Sequence, residues 1–181
     1  MNKKKRTTNT LFLSQAGLIA ALYAALVYLQ NMILPNSATL AVQVRVAEAL
    51  AMLSVITPAA IPGLTLGCFI ANLTSIQVMP LDLIFGTLAT FLSSVCMYKV
   101  RDLRIKNLPI IASVLPALFN GVIIGLELTF FVPHETGSSL ILFLTQGGLV
   151  ALGEIISVMA LGLPFIRMVE KRNLFGKFNH I

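Results

Sequence analysis

Apolar residues run in long blocks along this chain instead of alternating with polar ones. The blocks end at proline-containing turns or at clusters of Lys and Arg. A helix that crosses the hydrocarbon of a bilayer needs roughly 20 mainly apolar residues. On that scale the pattern predicts six helices. The first runs from about Leu11 to Leu34 and stops at Pro35-Asn36-Ser37, and the second covers roughly Val42 to Ile56. The third spans about Pro58 to Val78, with Pro58 and Pro62 near its start, where proline is tolerated. Pro80 separates it from the fourth, Leu81 to Tyr98; the fifth is about Leu108 to Phe131 and the sixth Ser139 to Met168. The expected fold class is an all-α integral membrane protein, a bundle of six transmembrane helices forming one domain over residues 1–181. Short basic tails are expected at about 1–10 and 169–181.

Composition agrees: 57% of residues are hydrophobic, 11% are charged and the mean hydropathy is +0.90. A soluble domain carries about 25% charge. The basic start followed by an apolar run resembles a signal peptide, but Leu11 to Leu34 exceeds an h-region of about 7–15 residues, and Leu34-Pro35-Asn36 is no small-residue cleavage site. The segment therefore reads as a retained first helix.

Net charge changes the picture by fixing topology. Of the 13 Lys and Arg residues, all but Arg45 fall in three clusters. These are Lys3 to Arg6; Lys99, Arg101, Arg104 and Lys106; and Arg167, Lys171, Arg172 and Lys177. Cytoplasmic loops collect such residues. Six crossings put both termini and the 99–106 loop inside, and the 35–42, 77–81 and 132–138 loops outside. No basic stripe on a soluble surface points to nucleic acid. Cys68 and Cys96 are isolated and no His cluster exists, so no metal or redox cofactor is implied. No HExxH, G-x-S-x-G or Walker motif is present, so neither a catalytic residue nor autonomous ATP-driven transport is expected.

The chemistry lies in the polar residues inside apolar blocks. Glu48, Asp82, Glu127 and Glu154 are acidic, against the one base Arg45, and Asn72, Asn120 and Gln146 accompany them. A charge at the bilayer centre costs about 2.5–3.5 kcal/mol. The topology places all of these between the midplane and the outer surface, where they can line one pocket opening outward. Arg45 and Glu48, three apart, also suit a local ion pair; Asp82 suits the first turn of a helix; Asn72 and Asn120 suit interhelical bonds. Glu127 and Glu154 have no cation left to pair with. Tyr28, Phe85 and Phe119 are candidates to stack on a planar ligand.

Small residues recur four apart at Ala20 and Ala24, Ala21 and Ala25, Gly63 and Gly67, and Gly121 and Gly125. This spacing lets helices approach closely. The doubled alanine pattern of the first helix suits docking of another membrane protein.

Four stretches resemble the QueT family among the substrate-binding (S) components of energy-coupling factor (ECF) transporters. They are Gln43-Val-Arg-Val-Ala-Glu-Ala-Leu50, Pro62-Gly-Leu-Thr-Leu-Gly-Cys-Phe-Ile-Ala-Asn72, Leu81-Asp-Leu-Ile-Phe-Gly-Thr-Leu-Ala-Thr90 and Phe119-Asn-Gly-Val-Ile-Ile-Gly-Leu-Glu127. The resemblance implies a non-enzymatic subunit in a prokaryotic plasma membrane that captures substrate outside. It also implies a transmembrane coupling subunit with two ATPases as partners, and a queuosine precursor such as the cationic 7-aminomethyl-7-deazaguanine as substrate. An S component for another vitamin or nucleobase, or a self-sufficient proton-coupled carrier, is the alternative.

Overall fold

The computed structural model describes residues 3–34, 44–74, 81–131 and 138–172. Helix α1 spans Lys3–Ile33, a 3-10 helix spans Val46–Val55, and α2 and α3 span Ala60–Thr74 and Asp82–Lys99. Helix α4 spans Ile110–Phe131. Helix α5, Ser139–Ile155, continues through a π-helical stretch, Ile156–Gly162, into α6, Leu163–Lys171. The last three pieces form one rod, so the chain crosses the bundle six times. Among the described residues three elements are long and apolar enough to cross a membrane: Asn9–Ile33 within α1, α4, and the rod Ser139–Lys171. The expected bounds over 42–43 and 75–78, and the outer loops, lie wholly or largely outside the described residues.

The second crossing departs from expectation. It is a 3-10 helix, narrower and longer per residue than an α-helix. At about 2.0 Å per residue it covers roughly 20 Å, where ten α-helical residues cover about 15 Å. Side chains three apart eclipse in such a helix, giving three faces: Val46, Ala49, Met52 and Val55; Ala47, Leu50 and Leu53; Glu48, Ala51 and Ser54. All except Val46 and Ala49 are buried. The element packs against α1, α2, α3, α4, the π-helical stretch and α6, so it is the axis of the bundle. An element enclosed on nearly every side is mostly apolar all round, and here Ala47, Ala49, Ala51 and Ser54 are small enough to admit close neighbours.

Close approach is built with glycine. A Cβ on Gly67 would lie 2.7 Å from Tyr23 Cβ and 2.9 Å from the Ala20 carbonyl, so α2 rests directly on the α1 backbone. Gly147 plays the same part between α5 and α4, where a Cβ would meet the Gly121 carbonyl at 2.5 Å. Ile19, Tyr23, Met52, Leu64, Met97 and Ile166 belong to the continuous apolar core around the 3-10 helix.

One end of the bundle is basic. Lys106 and Asn107, with φ of 51° and 61°, turn the chain between α3 and α4. Arg104 from this turn donates to both carboxylate oxygens of Glu170 on α6, at 2.6 and 3.1 Å. The hydrogen bond to Glu170 pushes the Arg104 guanidinium above its ordinary pKa, so Arg104 stays charged throughout the physiological range. Arg101 lies over the Tyr98 ring at 4.0 Å. Two of the three basic clusters therefore share one end of the molecule.

Candidate substrate-binding site

The site begins with a clamp on the entrance to the 3-10 helix. Gln30 of α1 donates from Nε2 to the Val44 carbonyl at 2.5 Å and accepts the Val46 amide on Oε1 at 2.7 Å. Arg45, extended between these two points, donates its own amide to Ser157 Oγ at 3.1 Å. Ser157 lies in the π-helical stretch and donates in turn to the Gly153 carbonyl at 2.9 Å. Residues from both ends of the chain thus hold the backbone at Arg45. One turn on, the Tyr23 hydroxyl donates to Glu48 Oε1, and both side chains are buried.

Around this frame the acidic residues gather. Arg45 interacts electrostatically with Glu48 and Asp82, and also with Glu127 and Glu154. Asp82, in the first turn of α3, faces Glu127 of α4, and Glu154 of α5 senses Glu48. One guanidinium therefore stands among four carboxyl groups drawn from the 3-10 helix, α3, α4 and α5. Burial is severe: Glu127 is 1% exposed, Glu48 3% and Glu154 6%. The group set against the Glu127 carboxyl is a second carboxyl, Asp82, while Glu154 Oε2 and Asn120 Nδ2 lack a hydrogen-bond partner. Asn120 and Glu127 are seven residues apart on α4, two turns along one face. Among the described residues no group of His, Cys, Asp and Glu is arranged to hold a metal ion.

A family model described as QueT transporter matches residues 13–171. The chain belongs to the QueT transporter family. It is a membrane transporter protein and not an enzyme, and a transporter of this kind handles a small-molecule substrate. No curated protein and no solved structure matches the chain.

Within this QueT bundle the expected site residues divide. Arg45, Glu48, Asp82, Glu127 and Glu154 come together through space, although they are spread over more than 100 positions of sequence. Asn72 is occupied as a brace: its Nδ2 donates to the Asp82 carbonyl at 2.9 Å, tying α2 to the start of α3. The Leu81 cap position makes no side-chain cap bond, and Asp82 sits just inside it in the first turn. Gln146 is half-buried beside Gly147, which rests on Gly121 of α4. Of the aromatic candidates, Tyr28 is 61% exposed on the outside of α1 and cannot reach the cluster. Phe85 already pairs with Phe131, ring centres 5.7 Å apart, and Phe119 is half-buried. The aromatic residue that does enter the cluster is Tyr23, and sequence reasoning passed over it together with Gln30 and Ser157.

The alanine pattern of α1 also divides. Ala20 is buried against Gly67 and is spent on internal packing, which removes it from any docking surface. Ala24 is half-buried, whereas Ala21 and Ala25 are exposed, in line with Gly17, around which nothing lies within 4 Å of a Cβ position.

Proposed function

We propose that this QueT protein is the S component of an ECF-type importer, that it captures 7-aminomethyl-7-deazaguanine, and that the Arg45–Glu48–Asp82–Glu127–Glu154 cluster binds it. The observation that carries this reading is the excess of buried carboxyl groups over cations, with Glu127 set against a second carboxyl group, Asp82, and Glu154 Oε2 without a hydrogen-bond partner. A buried carboxylate lacking a partner carries a desolvation cost that a bound cation offsets. The proposed ligand has an ammonium group and a guanine-like edge of adjacent N–H donors beside a carbonyl. One carboxylate accepts the N–H pair in bidentate fashion, another holds the ammonium, and the Asn120 amide, whose Nδ2 is free, donates to the carbonyl. Arg45, pinned through its backbone, keeps the carboxylates in register between binding events.

Energy for uptake comes in this reading from partner subunits: a transmembrane coupling subunit with two ATPases, in a prokaryotic plasma membrane. The chain has no Walker motif of its own. Titration calorimetry of the purified protein tests the ligand. The aminomethyl compound is expected to bind more tightly than the analogue bearing a neutral nitrile, by about 1–3 kcal/mol, because one charge-assisted hydrogen bond is lost. Equal affinities would mean that the carboxylates do not read the ammonium. Uptake by liposomes holding this chain alone under a pH gradient would replace the whole reading with that of a carrier.

A further inference from the structure

At the basic end, away from the carboxyl cluster, a groove of about 780 Å³ runs between the α3–α4 turn and the end of the long rod. Its walls are segregated. Met159, Leu163 and Leu108 supply an apolar stretch, and Arg167, Lys171 and Arg172 supply the basic end. From Met159 to Lys171 the rod rises roughly 18 Å at 1.5 Å per residue. That is long enough to take a headgroup and the upper part of its acyl chains. Arg167, Lys171 and Arg172 are exposed. The neighbouring acids are engaged elsewhere: Glu170 with Arg104, and Asp102 with Arg101 at 4.0 Å. None of the three bases makes an ion pair among the described residues. The Arg104–Glu170 bridge does more than neutralise Glu170: it holds the turn carrying Leu108 against α6, which forms the groove's second wall.

We infer that this groove binds one anionic diacyl phospholipid, its phosphate between Arg167, Lys171 and Arg172 and its acyl chains along Leu163 and Met159. Three cations within one turn and a half, with no acid left among them, call for an anion; the apolar wall leading away from them calls for hydrocarbon attached to that anion. A free phosphate satisfies only the first demand, and an acidic peptide leaves the second unmet. Each basic side chain near a membrane surface contributes about one factor of five in affinity for anionic lipid.

Native mass spectrometry of the full chain, released from detergent with phosphatidylglycerol or phosphatidylcholine as probes, reads the site directly. The wild type is expected to retain a single phosphatidylglycerol with a preference over phosphatidylcholine on the order of tenfold or more. The triple variant Arg167→Gln/Lys171→Gln/Arg172→Gln is expected to lose that preference. Lys99→Gln/Arg101→Gln, which removes charge at the same end outside the groove, is expected to keep it. Leu163→Trp, which fills the apolar wall, is expected to lose the lipid while all three bases remain. Equal loss in the two charge variants would reduce the effect to diffuse surface charge and overturn the inference. So would retention of phosphatidylglycerol by the triple variant, or its displacement by millimolar inorganic phosphate. Thermal unfolding in the same detergent confirms that each variant is folded, and a variant that is not is replaced by Arg167→Gln alone.

Discussion

Glu127 concentrates the chemistry of this molecule in one side chain. It is buried to 1% exposure, and the group that faces it is a second carboxyl, Asp82. Burying one carboxyl group against another is unfavourable, and the folded protein bears that cost without visible return. Such a residue separates stability from function in a measurable way. Under the proposed function, Glu127→Gln and Glu154→Gln weaken ligand binding by about 1.5–3 kcal/mol, the range for hydrogen bonds to charged groups, while thermal stability stays the same or rises. Calorimetry beside a melting curve checks both halves. Unchanged binding in both variants would make the two residues structural. Tyr23→Phe removes the hydroxyl from Glu48 and frees that carboxylate, so a loss of both stability and affinity is expected, by about 1–3 kcal/mol in stability.

At the scale of elements, the reach of sequence reasoning follows from what each residue type does in an apolar block. The four carboxylates and Arg45 stood out because a charge inside an apolar block is costly. Tyr23 and Gln30 did not, since a single polar tip on a largely apolar or flexible side chain passes for packing. Tyr28 is one of the three aromatic candidates, yet five residues place it about 140° from Tyr23 around α1, facing outward. The 3-10 form of the second crossing was equally hidden: a helix buried on all sides is apolar all round, so no period shows whether it turns every 3.0 or 3.6 residues. Helix contacts through glycine were legible from their four-residue spacing, but the outward and inward alanines of α1 were not distinguishable without the position of α2. Two glycines test that distinction. Gly67→Ala forces a Cβ into Tyr23 and the Ala20 backbone, and is expected to cost about 1–3 kcal/mol in stability. Gly17→Ala meets nothing and is expected to be neutral or to stabilise by up to about 1 kcal/mol, from helix propensity. Thermal unfolding in detergent compares them; equal losses would mean that α1 and α2 do not approach as closely as 2.7 Å implies.

At the scale of the whole molecule, α1 has two faces with different tasks. Ala16, Ile19, Ala20, Tyr23 and Gln30 are buried, and they build the clamp and the α2 contact. Gly17, Ala21 and Ala25 form a smooth exposed line on the opposite side, flanked by Leu18, Leu22 and Leu29. A row of small residues between larger apolar ones admits another helix at close range in a membrane, where packing replaces the hydrophobic effect as the driving force. In the proposed importer this line meets the coupling subunit. Ala21→Leu and Ala25→Leu place bulk on that line without touching the Tyr23–Glu48 bond or the Gln30 clamp. Ligand affinity is therefore expected to stay within about twofold of wild type, since surface changes away from a site shift free energies by less than about 0.5 kcal/mol. ATP-driven uptake by the reconstituted complex is expected to fall at least tenfold, and the chain should no longer co-purify with its coupling subunit. Normal uptake in both variants would move docking to another face. Loss of ligand binding in the isolated variants would show instead that the two faces of α1 are not independent, because a change on the exposed line had then reached Tyr23 through the helix itself.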